Sequence, residues 1–518
     1  MSTKTRRQFL KRTAAIAAAG LASPLLSQQS TEEKVKPRLI RNVIFILGDD
    51  HSAEVLGCYG NQIVRTPNLN RMAYKAVRFS NFFVNAPLCS ASRQSLLTGK
   101  YPHATGVTLL ETSFPEEQLT LAEHLQKFSF KTGIIGKTHF NNNLPHGFDY
   151  QISRADWQKH LRENPPQQPP ADVKTRPEWK PFQDHARIWL NSEVLPSSYY
   201  DADETATYYT EKAIEFIRAN KENRFCLWVG FHEPHSPFNF PIEFAGKYKP
   251  EDMPLPKGSP EDDRWIPQVF KDLTDDEKKG IVAAYYTSVE YLDSKIGQVL
   301  KELERQQLTH ETLVIYVGDN GYLLGDHKRF EKHTMWEQSV RVPCLLQVGN
   351  RIGQGRKIEL LAEGVDLVPT VLDILSVEPM PELQGKSLFP LLTGRTTTHK
   401  EYVFSEYLVD NLVMIRDKEW KYVFTTGQRD LGQGYATGLP PSGILHRLYH
   451  LRTDPGETTN LAANPVHQPV LARLQQELLN LFKKTHPRAK ELPAGLSIEE
   501  QLVWFCEPTD KAAKVDGE

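Results

Sequence analysis

Val43-Ile44-Phe45-Ile46-Leu47 is an unbroken apolar run that stops abruptly at Gly48-Asp49-Asp50-His51. A strand with one face in water alternates apolar and polar residues. One that does not alternate is buried on both faces, as in the middle of a parallel sheet covered by helices. Three further stretches follow the same plan. Residues 132–136 run into Lys137-Thr138-His139, 225–230 into His232-Glu233-Pro234-His235, and 314–317 into Gly318-Asp319-Asn320-Gly321. Helical spacing over 119–127 and 281–303 lies between them. Strands alternating with helices predict an α/β fold whose central sheet is mainly parallel. Ligands of such open sheets bind beyond the carboxyl ends of the strands, so the four polar segments are expected to converge.

The 518 residues suit a large catalytic core with a smaller companion. The core is expected over 38–395. Strand-like segments at 401–407, 412–416 and 421–425, then a helix near 470–484, predict a smaller α+β domain over 396–518 that contributes to the substrate cleft. A net charge of −2 provides no basic field for nucleic acid, so none is expected as a partner. An anionic substrate would need a local cluster of cations. The Pro-dense stretch 164–182 and the Pro-, Asp- and Lys-rich stretch 248–267 read as insertions, either cleft rims or plain surface connections.

Thr5-Arg6-Arg7-Gln8-Phe9-Leu10-Lys11 precedes an Ala-rich apolar stretch over 14–26 that is too short to span a bilayer comfortably. Residues 1–30 are therefore expected to be a twin-arginine export signal, with the twin-arginine machinery as a partner and the periplasm or exterior as the destination. The cysteines are Cys58, Cys89, Cys226, Cys344 and Cys506. An odd count with wide spacing fits neither a disulfide framework nor a zinc ribbon, and points to one special cysteine. Cys58, Cys226 and Cys344 lie in apolar surroundings and are expected to be core thiols.

Cys89-Ser90-Ala91-Ser92-Arg93-Gln94-Ser95-Leu96-Leu97-Thr98-Gly99 resembles the signature of the formylglycine-dependent (type I) sulfatases of the alkaline phosphatase superfamily, with Ala91 where Pro is usual. The resemblance continues in Gly48-Asp49-Asp50, Thr66-Pro67-Asn68-Leu69, Thr98-Gly99-Lys100-Tyr101-Pro102-His103 and Gly136-Lys137-Thr138-His139. It runs on through Gly318-Asp319-Asn320-Gly321, Asp366-Leu367-Val368-Pro369-Thr370, Asp454-Pro455-Gly456-Glu457 and Asn460-Leu461. It implies an alkaline-phosphatase-like large domain and hydrolysis of sulfate esters through a sulfoenzyme intermediate. The nucleophile would be a hydrated formylglycine (3-oxoalanine) made from Cys89 by a maturase, and Ala91 is compatible with the radical type.

By the same resemblance Asp49, Asp50, Asp319, Asn320 and residue 89 ligate one divalent cation. An all-oxygen set favours calcium, with magnesium second. Arg93, one helical turn from Cys89, would fix the formylglycine hydrate. Lys137 and Lys332 would hold the sulfate, His139 would deprotonate the hydrate, and His235 would protonate the leaving oxygen. Lys137 and His139 alternate along an extended segment, so both face one site only if the backbone turns there. His51, His232, Asp326 and His327 are weaker candidates for contacts nearby.

Two rivals remain open on sequence. One is a phosphate or phosphonate ester hydrolase of the same superfamily, although the two-zinc members carry Asp-His where this chain has Asp319-Asn320. The other is a catalytically dead glycan-binding protein. An exported enzyme meets sulfated saccharides or aryl sulfates. Trp179, Trp189, Trp265 and Tyr286 are candidates to stack on rings, with core packing as the plainer expectation. The segment Asp410 to Pro441, with Arg416, Lys421 and Arg429, is a candidate for recognising further anionic groups.

Overall fold

Alternate residues of strand β1 (Asn42–Gly48) enter two different cores, and this is why the run at its centre has no polar face. Ile44 and Ile46 pack with the helices Thr205–Ala219 and Asp275–Arg305. Val43, Phe45 and Leu47 pack with the helices Cys89–Thr98, Leu121–Gln126 and Leu367–Leu375. The computed structural model describes residues 40–180, 185–255, 258–264, 266–426 and 443–510. The expected export signal, Trp265 and Arg429 lie outside them. No helix among the described residues is long and apolar enough to cross a membrane.

The remaining strands of the large sheet are β2 (Val77–Phe83), β3 (Lys131–Gly136), β4 (Tyr150–Ile152), β5 (Phe225–Gly230), β6 (Thr312–Gly318), β7 (Cys344–Val348) and β8 (Lys357–Glu363). Their order is β4-β3-β5-β1-β6-β7-β2-β8, parallel throughout except for β7, which runs antiparallel to β6 and β2. The four strands expected from their polar endings are four neighbours, β3-β5-β1-β6. Their ends align in register, with Gly136 opposite Gly230, Gly230 opposite Leu47, and Gly48 opposite Gly318. The long helix begins at Asp275, earlier than its apolar spacing suggests, because Thr274 and Glu277 form a capping box.

A second, antiparallel sheet is formed by β9 (Val403–Tyr407), β10 (Leu412–Arg416), β11 (Trp420–Thr425) and β12 (Leu445–His450), in the order β12-β11-β10-β9. One face is covered by the helices Gln468–Thr485 and Ile498–Phe505. The other packs Val403, Tyr407, Met414 and Val423 against Leu88, Ala91 and Met335. The small sheet thus buttresses the start of the helix that carries Cys89, and the described residues form one compact unit.

A buried ionic knot joins this sheet to the segment after Lys332. Arg416 donates to the Glu337 carboxylate (2.7 Å), and Lys421 pairs with Glu337 (2.9 Å) and Glu457 (2.7 Å). Arg416 and Lys421 are therefore spoken for inside the fold, which corrects the expectation that they recognise substrate anions. Burial pushes Glu337 up, but Arg416, Lys421 and Arg341 outweigh it and hold the carboxyl down at about 2. A depressed carboxyl contributes stability above its unfolded value near 4.5 and loses it as pH falls toward 2. Glu337→Gln leaves two buried cations short of a partner and is expected to cost about 3–5 kcal/mol at neutral pH. It should also flatten the fall in stability between pH 4.5 and 2, which urea unfolding across that range reads directly.

Candidate active site

The ladder hydrogen bonds continue past the strand ends and fix the polar segments. Asp319 N–H donates to Gly48 O (3.1 Å), Asp49 N–H to Glu233 O (3.1 Å), and Lys137 N–H to Gly230 O (2.9 Å). Asp50 (φ 61°), Gly136 (φ 91°) and His139 (φ 55°) take left-handed backbone conformations. The last two supply the turn that Lys137 and His139 require. Lys137 Nζ reaches the Asp49 carboxylate. The backbone carbonyl of His139 is held by Gln94 Nε2 (2.8 Å), from the helix that also carries Cys89 and Arg93.

That helix starts at Cys89 behind an extended Leu88, and all ten of its residues are buried. Arg93, 2% exposed, donates through Nε to Asp319 Oδ2 (2.7 Å) and through Nη1 to Lys137 O (2.6 Å). Lys332 Nζ lies 2.7 Å from Asp50 Oδ1 and 3.6 Å from Cys89 Sγ. Asn320 Nδ2 donates to Asp50 Oδ1 (2.7 Å), and Asp50 N–H to Asp319 Oδ1 (3.1 Å). His235 Nε2 is 3.7 Å from Asp50 Oδ2. Contacts thus tie Asp49, Asp50, Cys89, Arg93, Lys137, Lys332, His235, Asp319 and Asn320 into one cluster, with His139 beside them.

Oppositely charged neighbours set the protonation states. Burial pushes Asp49 up, but Lys137, His235, Arg93 and Lys332 hold it well below the usual carboxylate range. Burial disfavours the charge on Lys332, yet Asp50 and Cys89 raise it well above an ordinary lysine. His139 is driven well down by burial and then by Lys137 and Arg93. Burial likewise lowers His235 to about 4, against the pull of Asp50. Both imidazoles are neutral at pH 7.

The donor set fits a hard cation. Asp49 Oδ1 and Asn320 Oδ1 are buried oxygens with no hydrogen-bond partner. Leaving such atoms unmet is costly, so two of them on adjacent strand ends call for a ligand. Asp49, Asp50 and His235 also offer donor atoms within 4.8 Å of one another.

Other candidates fall outside the cluster. His51 is locked by Tyr316 Oη and Val55 O (3.1 Å), and burial lowers it to about 4. His327 pairs with Asp262 (2.9 Å) and stacks on Trp336, while His232 is half-buried with its ring against Tyr209. Trp189 and Tyr286 are buried packing residues. Cys226 and Cys344 are buried thiols, whereas Cys58 is half-buried.

The sequence reading missed Gln94 and Asp510. Asp510 accepts from Thr108 N–H (2.8 Å), Leu109 N–H (3.0 Å) and Thr112 Oγ1 (2.6 Å). The loop so held bridges two parts of the site. Leu109 O accepts from Ser90, next to Cys89 (3.3 Å), and Leu110 O and Thr112 O accept from Asn141, two residues past His139 (2.8 and 3.0 Å). A lone aspartate near the C-terminus has no sequence signal for such a role.

Comparison with known proteins gives two family matches. The Sulfatase family matches residues 41–377, and N-sulphoglucosamine sulphohydrolase, C-terminal, matches residues 325–484. A choline-sulfatase of Rhizobium meliloti is 27% identical over 457 residues, covering 82% of this chain and 83% of its own. An N-acetylglucosamine-6-O-sulfatase of Bacteroides thetaiotaomicron is 25% identical over 553 residues, covering 92% and 90%. In fold, the chain is similar to a phosphonate monoester hydrolase of Agrobacterium radiobacter (TM-score 0.72, 21% identity, 87% of this chain and 97% of that one). It is also similar to a protein solved with its substrate D-glucosamine-2-N,6-O-disulfate (TM-score 0.63, 23% identity, 87% and 99%).

Asp510→Ala removes a charged acceptor from four donors, the Thr108 hydroxyl among them, and is expected to cost about 1.5–3 kcal/mol. Urea unfolding measures that loss. Turnover of the folded variant should fall as well, because the loop it frees backs both Ser90 and Asn141.

Proposed function

The chain belongs to the sulfatase family, whose members hydrolyse sulfuric esters, and from that premise we propose that its substrates are sulfated saccharides met outside the cytoplasm. The observation that carries the site assignment is the meeting of Cys89 Sγ and Lys332 Nζ beside Asp50, within the cluster at the ends of β1 and β6. The family generally uses a divalent metal and a formylglycine. Here Cys89 is the residue to be converted, and Asp49, Asp50, Asp319 and Asn320 are the residues to hold the ion, with calcium suited to their oxygen donors.

The formylglycine supplies a geminal hydroxyl as nucleophile, and the cation supplies Lewis acidity toward the sulfate oxygens. This chain's own groups do the rest. Arg93, anchored on Asp319 and Lys137 O, orients residue 89. Lys137 and Lys332 present buried positive charge to the sulfuryl oxygens, where preorganised cations stabilise developing negative charge. His139 is neutral and its buried Nδ1 has no hydrogen-bond partner, as a proton acceptor requires.

His235 directs Nδ1 at Ser236 O (2.7 Å), leaving Nε2 toward Asp50. As a donor to the leaving oxygen it must first take up a proton, and the negative charge of a bound ester favours that. Cys89, 2% exposed, is sealed inside the fold, so a maturase must reach it before folding closes. Ala91 suits a radical-type maturase, and export through the twin-arginine signal completes the reading.

The mass of the peptide spanning Cys89, from protein made in its native host, is expected to be that of formylglycine. An unmodified cysteine in active enzyme would end this account. Cys89→Ala should lower turnover at least about 10³-fold while leaving the urea midpoint near wild type. Chelation with EDTA should suppress turnover, and calcium or magnesium should restore it; recovery with zinc alone would favour a phosphatase-like centre.

A further inference from the structure

The first Pro-dense insertion is pinned to the segment that carries His235. Arg176 N–H donates to Pro196 O (2.8 Å), and Arg176 Nη2 donates to Asn239 Oδ1 (2.6 Å), four residues beyond His235. Three residues after this anchor, the Trp179 indole meets the His235 ring in a T-shaped contact, with centroids 5.8 Å apart and planes at 78°. Trp179 nevertheless stays 37% exposed, while Trp157, Trp189, Trp228 and Trp336 are all at 6% or less. A large aromatic held beside the site by a proline-bearing loop, and still more than a third exposed, is placed to meet a ligand and not to fill a core.

Resting on the sulfatase reading above, we propose that Trp179 is a specificity-determining residue: the wall against which the ring of the leaving alcohol packs. His235 is the group assigned to the leaving oxygen, so its neighbour on the solvent side borders the alcohol and not the sulfate. A flat apolar indole face complements the C–H face of a sugar ring or the plane of an aryl ring. An acyclic quaternary ammonium alcohol is held by a cage of several aromatic rings. Among the described residues, Trp179 is the one aromatic in ring contact with His235. The substrate class is therefore a sulfate ester of a ring alcohol.

The test uses full-length, matured enzyme, with formylglycine content measured for each variant, and three probes: glucosamine 6-sulfate, 4-nitrophenyl sulfate and choline sulfate. Trp179→Ala is expected to raise KM for the ring esters about tenfold while kcat stays within about twofold. Trp179→Phe should restore most of the KM, because it keeps an aromatic face. An effect confined to the sugar ester, or to the aryl ester, identifies which ring the wall serves. Choline sulfate should be turned over with unchanged KM, or not at all. An unchanged KM for both ring esters, or the same rise for choline sulfate, overturns the assignment while leaving the sulfatase reading intact. No turnover of any sulfate ester by the matured wild type overturns that reading and this inference with it.

Discussion

Arg93 ties the helix that carries Cys89 to the ends of two strands. Its guanidinium leaves a buried helix, grips Asp319 at the end of β6 and holds the carbonyl of Lys137 just beyond β3. To do so it passes over Gly230 at the end of β5, where an added Cβ would stand 2.7 Å from Nη1 and 2.5 Å from the Lys137 carbonyl oxygen. One guanidinium therefore sets the distance between the helix that carries Cys89 and two strands, and a glycine on a third makes room for it. The planar fork of arginine suits this, since its donors bind several acceptors at once in fixed directions.

The same ion pair bears on the electrostatics. Three carboxylates and three cations lie within contact of one another, all of them buried except the partly exposed Lys137, and each buried ion alone would be expensive to keep from water. Alternating signs make the arrangement tolerable. Lys137 pairs with Asp49, Lys332 with Asp50, and Arg93 with Asp319. The balance is incomplete at Asp49 Oδ1 and Asn320 Oδ1 on the acceptor side and at Arg93 Nη2 on the donor side. Burial and the neighbouring Asp49 push Asp319 up to about 8 despite Arg93. An incomplete balance of this kind belongs to a site arranged for a further cation and an anion together, because either alone would upset it.

The large sheet was legible where its strands are buried on both faces. β5 is apolar throughout, β1 and β6 are so after Asn42 and Thr312, and β3 after Lys131-Thr132, and each ends in residues whose chemistry is conspicuous. β2 interrupts its apolar residues with Arg78, Ser80 and Asn81, and β8 with Lys357 and Glu359. Strands on that side of the sheet carry a weaker pattern. The small sheet was read from alternation, but Arg416 and Lys421 were misassigned, because a basic residue in a strand looks the same in sequence whether it faces a ligand or a buried Glu337. Distant hydrogen bonds were invisible for the same reason. Gln94 to His139 O and Asp510 to Thr108 depend on loop positions that no local spacing encodes.

Rigid strand ends and inserted loops divide the work of such a site. The groups proposed to act on the sulfate hang from a ladder that continues past the sheet, so they gain precision from the most buried part of the fold. The side proposed for the alcohol is bounded by a segment that is not part of the sheet at all. A loop there would ordinarily pay in ordering entropy for any fixed contact, yet this one carries prolines at 165, 166, 169, 170 and 177 and an internal anchor at Arg176. Stiffening a surface segment is useful only if its position matters, and the position it fixes is that of Trp179 against His235. Selection of the alcohol can then change with the insertion while the sulfate chemistry stays with the sheet.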